Sequence, residues 1–286
     1  MERTWYVEGL EFVILMKRLL GRTLPPPFTY LSPTLQTRIN ALNEEARIWK
    51  QLRANWDPDL ADLISWTGEP ELRIEVSAWD PRDDGPALQY DMLCFRSGSR
   101  AALIEGFYNA AGTSCERYRI VECDPAELSS LIVEALPQAP AGTQGRVELS
   151  DYEISGRGGT DDWSRGGRSS FYDDGDNDLD VRSRGWQQST KSLVGMIGFH
   201  QGNAEDDAQA GPMPPNAVVI DWADYLFWED HPDDGRYLVE LTPPVSAVGI
   251  DADGLRRRID QKAAEVLRTS WEENSEPYAR SSIFDD

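Results

Sequence analysis

The first part of the chain repeats its apolar residues at the spacing of an α-helix. Residues 8–20 predict a short helix that ends at Gly21, just before a run of three prolines. A longer helix is predicted to begin at Ser32-Pro33 and a third at Asp57-Pro58, because proline is tolerated in a first helical turn. The longer helix is predicted to bury one face, since apolar residues recur along it at steps of three and four: Leu35, Ile39, Leu42, Ala46, Trp49 and Leu52. The first seventy residues are therefore predicted to be helical.

After residue 70 the apolar residues alternate with polar ones, which is the pattern of a half-buried strand. Residues 71–79 place four apolar side chains on one face and three charged residues and a serine on the other. Further strands are predicted over 89–95, 101–108 and 118–123, and Asp124 is predicted to cap a helix over 125–136. A meander of strands followed by a helix indicates an antiparallel α+β unit.

A similar succession occurs later in the chain. Strands are predicted over 191–199, 217–228, 236–241 and 245–250, and Asp251 is predicted to cap a helix over 252–268. In both helices apolar residues lie four, eight and twelve positions after the aspartate: Leu128, Ile132 and Leu136 in one, and Leu255, Ile259 and Ala263 in the other. Either the echo is a coincidence, or residues 70–137 and 191–269 are two halves of one larger sheet within a single domain of residues 1–286.

Two segments have little apolar content. Residues 151–190 are rich in glycine, serine, aspartate and arginine and are predicted to form a mobile surface loop, with ordering on a partner as the alternative. Residues 271–286 are predicted to be a loosely attached acidic tail.

Charge and cysteine content narrow the choice of partners and of compartment. The net charge is −22, which would repel nucleic acid and anionic membranes. Three isolated cysteines show no zinc-binding spacing and no disulfide framework, and they are expected to be reduced. The apolar run over 12–16 is preceded by acids and followed by bases, which is the wrong polarity for a signal peptide, and no run is long enough to span a bilayer. We therefore expect a cytoplasmic protein without membrane insertion.

The sequence offers no convincing site for catalysis, a cofactor or a metal. Its two histidines, His200 and His231, have no ligand or nucleophile at a characteristic spacing. The acidic run over 173–180 lacks the glycine and the glutamate of a calcium loop, and the glycines of 155–160 lack the lysine of a phosphate-binding loop. A pair of carboxylates acting as acid and base stays possible among fifty acidic residues, although no pair is favoured.

One stretch combines aromatic residues with acidic ones and contains no base. Between Ser192 and Gly235 there is neither lysine nor arginine, while nine acids accumulate around several aromatic side chains. One interpretation is a central strand buried on both faces and flanked by solvated acidic loops. The other is an aromatic surface with an acidic rim, suited to an apolar protein partner.

Several motifs, in their order along the chain, resemble those of the EspG family, the cytosolic chaperones of type VII (ESX) secretion systems of actinobacteria. The motifs are LLGRTLPPPF (19–28), WDPDLADLISWTGEPELRIEV (56–76), CDPAELSSLIVEALPQAPAG (123–142) and GRYLVEL (235–241). Each motif alone is weak, whereas their order and spacing extend over almost the whole chain.

The resemblance implies a quasi-two-fold antiparallel β-sheet with two helical bundles. It also implies binding of the apolar tip of a PPE protein, as a PE–PPE heterodimer, with no enzymatic activity and no cofactor. One departure concerns residues 151–190, where family members carry a helical segment that belongs to the bundle used for partners. That departure puts partner choice in question.

The leading hypothesis is a secretion chaperone that shields an apolar helical tip and directs its substrate to the secretion system. An acidic immunity-type protein that blocks a basic toxin is the alternative, and a carboxylate-based hydrolase is a third. The residues predicted to bind the partner are Trp222, Tyr225, Phe227, Trp228, Tyr237, Arg96 and Arg100.

Overall fold

A computed structural model describes residues 3–31, 38–82, 88–150, 152, 178–202 and 224–275. Its helices are α1 (Gly9–Leu19), α2 (Arg38–Ala54), α3 (Pro58–Trp66), α4 (Leu128–Ala135), α5 (Asp178–Gln188) and α6 (Ala252–Ser275). Its strands are β1 (Arg3–Glu8), β2 (Leu72–Trp79), β3 (Gln89–Ser97), β4 (Arg100–Tyr108), β5 (Cys115–Cys123), β6 (Arg146–Glu148), β7 (Leu193–Gln201), β8 (Tyr225–His231), β9 (Gly235–Glu240) and β10 (Ser246–Gly249).

All ten strands belong to one sheet, in the order β1-β5-β4-β3-β2-β7-β8-β9-β10-β6. Every neighbouring pair is antiparallel, and the order is symmetric about the central β2–β7 pair. Along the chain each half has the same succession, which is an edge strand, a helical segment, four strands and a helix. The predicted α+β class with a quasi-two-fold antiparallel sheet is confirmed.

Each half of the sheet includes more of the chain than the ranges predicted from the repeat, which were 70–137 and 191–269. The first half also contains β1 and α1–α3, and the second also contains β6 and α5. The prediction that the first seventy residues are helical is wrong for β1, which pairs with β5 along its whole length. Its strand character is visible in hindsight, because Thr4, Trp5, Tyr6 and Val7 are residues with high β-propensity.

On one face of the sheet the two halves share a single core. Helices α4 and α6 contact each other and lie over the central strands. The shared core contains the helical residues that recur at steps of four: Leu128, Ile132, Leu136, Leu255, Ile259 and Ala263. Burial of this apolar surface from both halves joins them into one body.

On the second face each half has a core of its own. In the first half Phe12, Leu63 and Ile64 pack on Leu93 and Tyr118, under a cover made by α1, α2 and α3. We call these helices the three-helix cover. In the second half α5 is the described helix that covers the sheet, and its core contains Val147, Leu149, Trp186, Phe227, Tyr237, Val239 and Ala247.

Aspartates fix the starts of three helical segments. The Asp57 carboxylate accepts hydrogen bonds from the backbone N–H of Asp59 and Leu60 at the start of α3. Asp251 accepts one from Gly254 at the start of α6, and Asp124 accepts one from Ala126 in the turn before α4. Such bonds satisfy N–H groups that have no partner inside a helix.

Helix α5 corrects the prediction of a mobile loop for residues 178–188 alone. Residues 151 and 153–177 of the predicted loop (151–190) lie outside the described residues. The Ser183 hydroxyl accepts a hydrogen bond from the backbone N–H of Ser150, and the Gln187 amide donates to the carbonyl of Ser150. Trp186 is fully buried. The family departure inferred from this segment is therefore smaller than the sequence suggested, because a helix does precede β7.

The linker between the halves is clamped by residues of the GRYL motif. The Arg236 guanidinium forms a buried ion pair with Asp230 at 2.7 Å and donates to the carbonyl of Pro137. The Arg236 backbone bonds the linker at Pro140 and Gly142. A Cβ on Gly142 would lie 2.1 Å from the Tyr237 ring, so the close approach of the linker requires glycine.

Candidate functional site

A row of polar side chains crosses the centre of the second face, between the two separate cores. Arg73, Glu75 and Ser77 of β2 point to this face together with Asp91 of β3 and His200 of β7, as the strand registers require. We call these five residues the central strip. Polar groups at the centre of a ten-stranded sheet are costly to desolvate, so their presence is a reason to look for a role beyond folding.

Fixed contacts hold the side chains of the central strip. The Arg73 guanidinium donates to Glu75 at 3.0 Å, and the Glu75 carboxylate lies 3.9 Å from His200 Nε2. The fully buried Asp91 accepts hydrogen bonds from Ser77 at 2.7 Å and from Gln89 at 2.6 Å, and the Tyr108 hydroxyl also donates to it. The strip therefore presents donors and acceptors in a preset arrangement, while Glu75 and His200 stay partly exposed.

Beside the strip, a buried polar cluster anchors α5 to the sheet. The buried Glu229 carboxylate accepts a hydrogen bond from Tyr152 at 2.8 Å and lies 3.2 Å from Lys191 Nζ and 3.5 Å from His231 Nε2. His231 Nδ1 contacts the Ser189 hydroxyl at 2.6 Å, and the imidazole lies against the Trp186 ring. The cluster is an anchor rather than a catalytic triad, because the Ser189 hydroxyl donates to the Trp186 carbonyl and His231 is buried.

Burial and hydrogen bonds act in opposite directions on Glu229. Burial alone would raise the pKa of this carboxyl, but the contacts of the charged form with His231, Lys191 and Tyr152 lower the pKa below its ordinary value. The pKa of Tyr152 is raised, first by burial and then by the neighbouring Glu229 charge. The contacts of the anchor therefore favour the charged form of Glu229.

Three of the predicted partner-binding residues are core residues, which corrects their assignment. Phe227 and Tyr237 lie under α5, and Trp228 lies in the shared core on the other face. All three are less than 5% exposed. Strand β8 is a central strand between β7 and β9, as the first of the two interpretations of this stretch held. Alternation puts its aromatic residues on both faces of the sheet, which a surface interpretation could not accommodate.

The other predicted residues are distributed over the molecule. Tyr225 is half-buried and lies beside the central strip, with its ring 5.8 Å from the His200 ring. Arg96 is half-buried at the end of β3, and Trp222 lies outside the described residues. Tyr225 is therefore the one aromatic residue of the predicted set that the described structure places next to the strip. Sequence reasoning missed the strip itself, although the alternating polar residues of β2 marked that face.

Arg100 lies in an open charged cleft at the edge of the first half. It pairs with Asp62 at 2.8 Å and with Glu122 at 2.6 Å, and Arg3 pairs with Asp59 at 2.6 Å. Arg100 also lies over the Trp66 ring. Every carboxylate of this cleft contacts an arginine, so the cleft does not offer the pair of cooperating acids that a hydrolase needs.

Other candidate sites receive no support from the described residues. Within these ranges, no three histidine, cysteine, aspartate or glutamate side chains are grouped so as to hold a metal ion. The glycines of 155–160 lie outside the described residues, as do residues 173–177 of the acidic run. None of the helices seen in the described ranges combines the length and apolar character needed to cross a membrane.

Comparison with known proteins agrees with the fold. A family model described as the EspG family matches residues 8–261, which include β2 to β10, α1 to α5 and residues 252–261 of α6, but only Glu8 of β1. A search of curated proteins found no significant match.

Proposed function

This chain belongs to the EspG family of type VII secretion-associated chaperones, and we propose that it binds the apolar tip of a PPE-type helical substrate in the cytosol. The substrate would be a PE–PPE heterodimer, which the chaperone keeps soluble and directs to its secretion system. The observation that carries this proposal is the family match over residues 8–261. A binding role also agrees with the central strip, whose polar side chains are held by fixed contacts.

The proposed contact surface is the second face of the sheet, from the central strip to α5. Glu75, His200 and Tyr225 are partly exposed there, and α5 exposes Leu179 and Val181. The central strip supplies hydrogen-bonding groups in fixed positions, and the neighbouring α5 supplies exposed apolar side chains. Protein interfaces commonly combine polar and apolar contacts of these two kinds. The fixed geometry of Arg73 and Glu75 would lower the entropic cost of binding.

A direct test is co-purification of the chain with a PE–PPE pair encoded by the same genome, with the mass and affinity of the complex measured. The Tyr225→Ala variant should weaken the complex by about tenfold or more, since interface aromatics are common hot spots. The matched control is Tyr6→Ala, because Tyr6 is exposed on the distant edge strand β1 and its loss should leave affinity unchanged. Failure of every PE–PPE pair of that genome to form a complex would contradict the proposal.

Salt dependence separates this function from that of an immunity-type inhibitor. An immunity-type inhibitor is the second candidate, because a protein with a net charge of −22 can block a basic active site. Binding to a basic toxin should weaken steeply between about 0.05 M and about 0.5 M NaCl, where screening removes long-range attraction. Contact with an apolar tip should change little over the same range.

A further inference from the structure

Helix α2 has an exposed outer face that the three-helix cover does not use. Sequence analysis predicted that its apolar stripe would be buried, but Ile39 is 71% and Leu42 is 56% exposed. Ala46 on the same stripe is also exposed, whereas Trp49 and Leu52 pack on the core. The prediction is therefore wrong for the N-terminal half of the stripe, which extends beyond its own core.

The same outer face changes from apolar to basic along the helix. At about 100° per residue, Ile39, Ala46 and Lys50 lie within one narrow stripe, with Leu42 and Arg53 beside it. All five residues are exposed. We call them the outer face of α2. Over a length of about 21 Å it presents three apolar side chains and then two cations.

The two cations differ from the neighbouring ones in having no counter-ion. Lys17 and Arg18 both pair with Glu45, and Arg47 pairs with Glu44. Across the described ranges no hydrogen bond or ion pair involves Lys50 or Arg53. A lysine and an arginine are therefore available at the basic end of the outer face.

This region has the opposite charge to the rest of the chain. Residues 17–53 contain seven lysines and arginines and two glutamates, which gives this segment a net charge of +5. Because the whole chain has a net charge of −22, the other residues together carry −27. Most of the molecule repels an acidic ligand, whereas α2 attracts it. The electrostatic field of the protein therefore directs such a ligand toward α2.

We propose that the outer face of α2 docks an acidic amphipathic helix of another protein. Apolar side chains of that helix would cover Ile39, Leu42 and Ala46, and its carboxylates would pair with Lys50 and Arg53. Helix-on-helix docking of this kind uses anchors at steps of three and four. The surface is separate from the central strip and from α5, so one molecule could hold a substrate and this second partner at once.

A second copy of the chain does not fit the same face. In an antiparallel self-pair centred on Ala46, Ile39 would lie opposite Arg53 and Leu42 opposite Lys50. In a parallel self-pair each cation would lie opposite its own copy. An anionic membrane fits poorly as well, because its extended charged plane would also meet the acidic remainder of the molecule, whereas a narrow helix contacts α2 alone.

The test uses two synthetic helical peptides of about 18 residues that carry three leucines in one half of a face and two glutamates in the other, one peptide in each sequence order. Fluorescence anisotropy measures their binding to the full chain. At least one peptide should bind, and Lys50→Glu/Arg53→Glu should weaken it by about tenfold or more. Peptides with lysine in place of glutamate should bind this variant more tightly than they bind the native chain.

The matched control carries the same change of charge on another exposed helical surface, Arg256→Glu/Arg257→Glu of α6, and should retain binding within about twofold. Lys50→Gln/Arg53→Gln gives a second measurement without introducing acids beside Glu44 and Glu45. Circular dichroism checks that each variant is folded.

Four results would overturn the proposal. They are no binding of either acidic peptide at low salt, equal loss of binding in the control, stronger α2-dependent binding to phosphatidylglycerol vesicles, and a dimer that is lost on Leu42→Glu, which would assign the face to self-association. Affinity for a PE–PPE pair, measured on the same variants, should stay unchanged. Failure of substrate binding and failure of α2 docking can thus be told apart.

Discussion

The two halves of the sheet have the same strand arrangement but different covers on the second face. In the first half three helices bury an apolar core that includes Phe12, Leu63 and Ile64. In the second half α5 contributes one large buried side chain, Trp186, and is otherwise held by hydrogen bonds of Ser183 and Gln187 with Ser150. The Glu229–His231 cluster contacts the Trp186 ring and the residues that follow the helix. Each buried apolar side chain adds to the free energy that holds a cover in place. Among the described residues fewer such side chains hold α5 than hold the three-helix cover, so we expect α5 to be released at lower cost.

The arginines at the start of the corresponding strands β4 and β9 show the same contrast. Arg100 of β4 lies in an open cleft with its side chain 30% exposed, and Arg236 of β9 is buried against Asp230 and the linker. An exposed ion pair contributes little to stability, while a buried one becomes costly when a single partner is removed.

The largest expected effect comes from removing these two arginines in turn. Arg236→Met should lower the free energy of unfolding by about 3–5 kcal/mol, because Asp230 is left buried without its cation. Arg100→Met should cost about 0–1 kcal/mol. Urea denaturation measures both. Adding Asp230→Leu to Arg236→Met should restore part of the loss, and equal losses for the two single variants would contradict the comparison.

A second experiment releases α5 alone. Trp186→Ala removes the main apolar contact of α5, at a cost of about 3 kcal/mol. Amide hydrogen exchange in α5 should accelerate by about 100-fold, because opening is local. Amides of β3 and β4 provide the internal control and should keep their protection. A uniform acceleration throughout the sheet would show that α5 is not an independent unit.

The linker clamp can be tested with one alanine in the linker and a second one in α5 as the comparison. Gly142→Ala should destabilise the protein by about 1–3 kcal/mol, because its Cβ would overlap the Tyr237 ring. Gly185→Ala in α5 meets nothing within 4 Å and should stabilise the helix by about 0.5–1 kcal/mol. The midpoint temperature of thermal unfolding should therefore fall for Gly142→Ala and rise for Gly185→Ala. A shift in the same direction for both variants would contradict the close contact between the linker and Tyr237.

The smallest effect concerns acid sensitivity at Asp234. Burial would raise the pKa of this carboxyl, but hydrogen bonds from Thr143, Tyr237 and Gln144 hold the pKa well below its ordinary value. Because the pKa is depressed in the folded state, the stabilisation is present above pH about 4 and is lost as pH falls through the folded value. Asp234→Asn should cost about 1 kcal/mol at pH 7 and less in acid. Denaturation at both pH values checks this, with Asp233→Asn as the neighbouring control.

Much of the sheet could be predicted from the sequence because its apolar positions alternate and its turns are marked by glycine and aspartate. Strand β1 was missed because six residues at an edge give a weak signal, and it adjoins the helical pattern of α1. Helix α5 was missed because it buries chiefly Trp186 and Ser183, which leaves almost no periodic apolar face.

The partner-binding residues were harder to predict than the fold. Aromatic residues at successive positions of β8 lie on opposite faces of the sheet, and composition does not reveal which layers cover those faces. The polar residues Arg73, Glu75 and Ser77 were read correctly as the second face of β2. Only the tertiary structure shows that this face meets His200 of β7, because the pairing joins residues more than a hundred positions apart.

The symmetric β2–β7 pair bears on the evolution of such a chain. Two identical subunits that paired through one strand each would form the same arrangement as a homodimer. In a homodimer every substitution appears in both copies, so the covers must stay alike. Once a linker such as residues 137–145 joins the copies, each can change independently, and one half can remain a rigid scaffold while the other acquires new specificity.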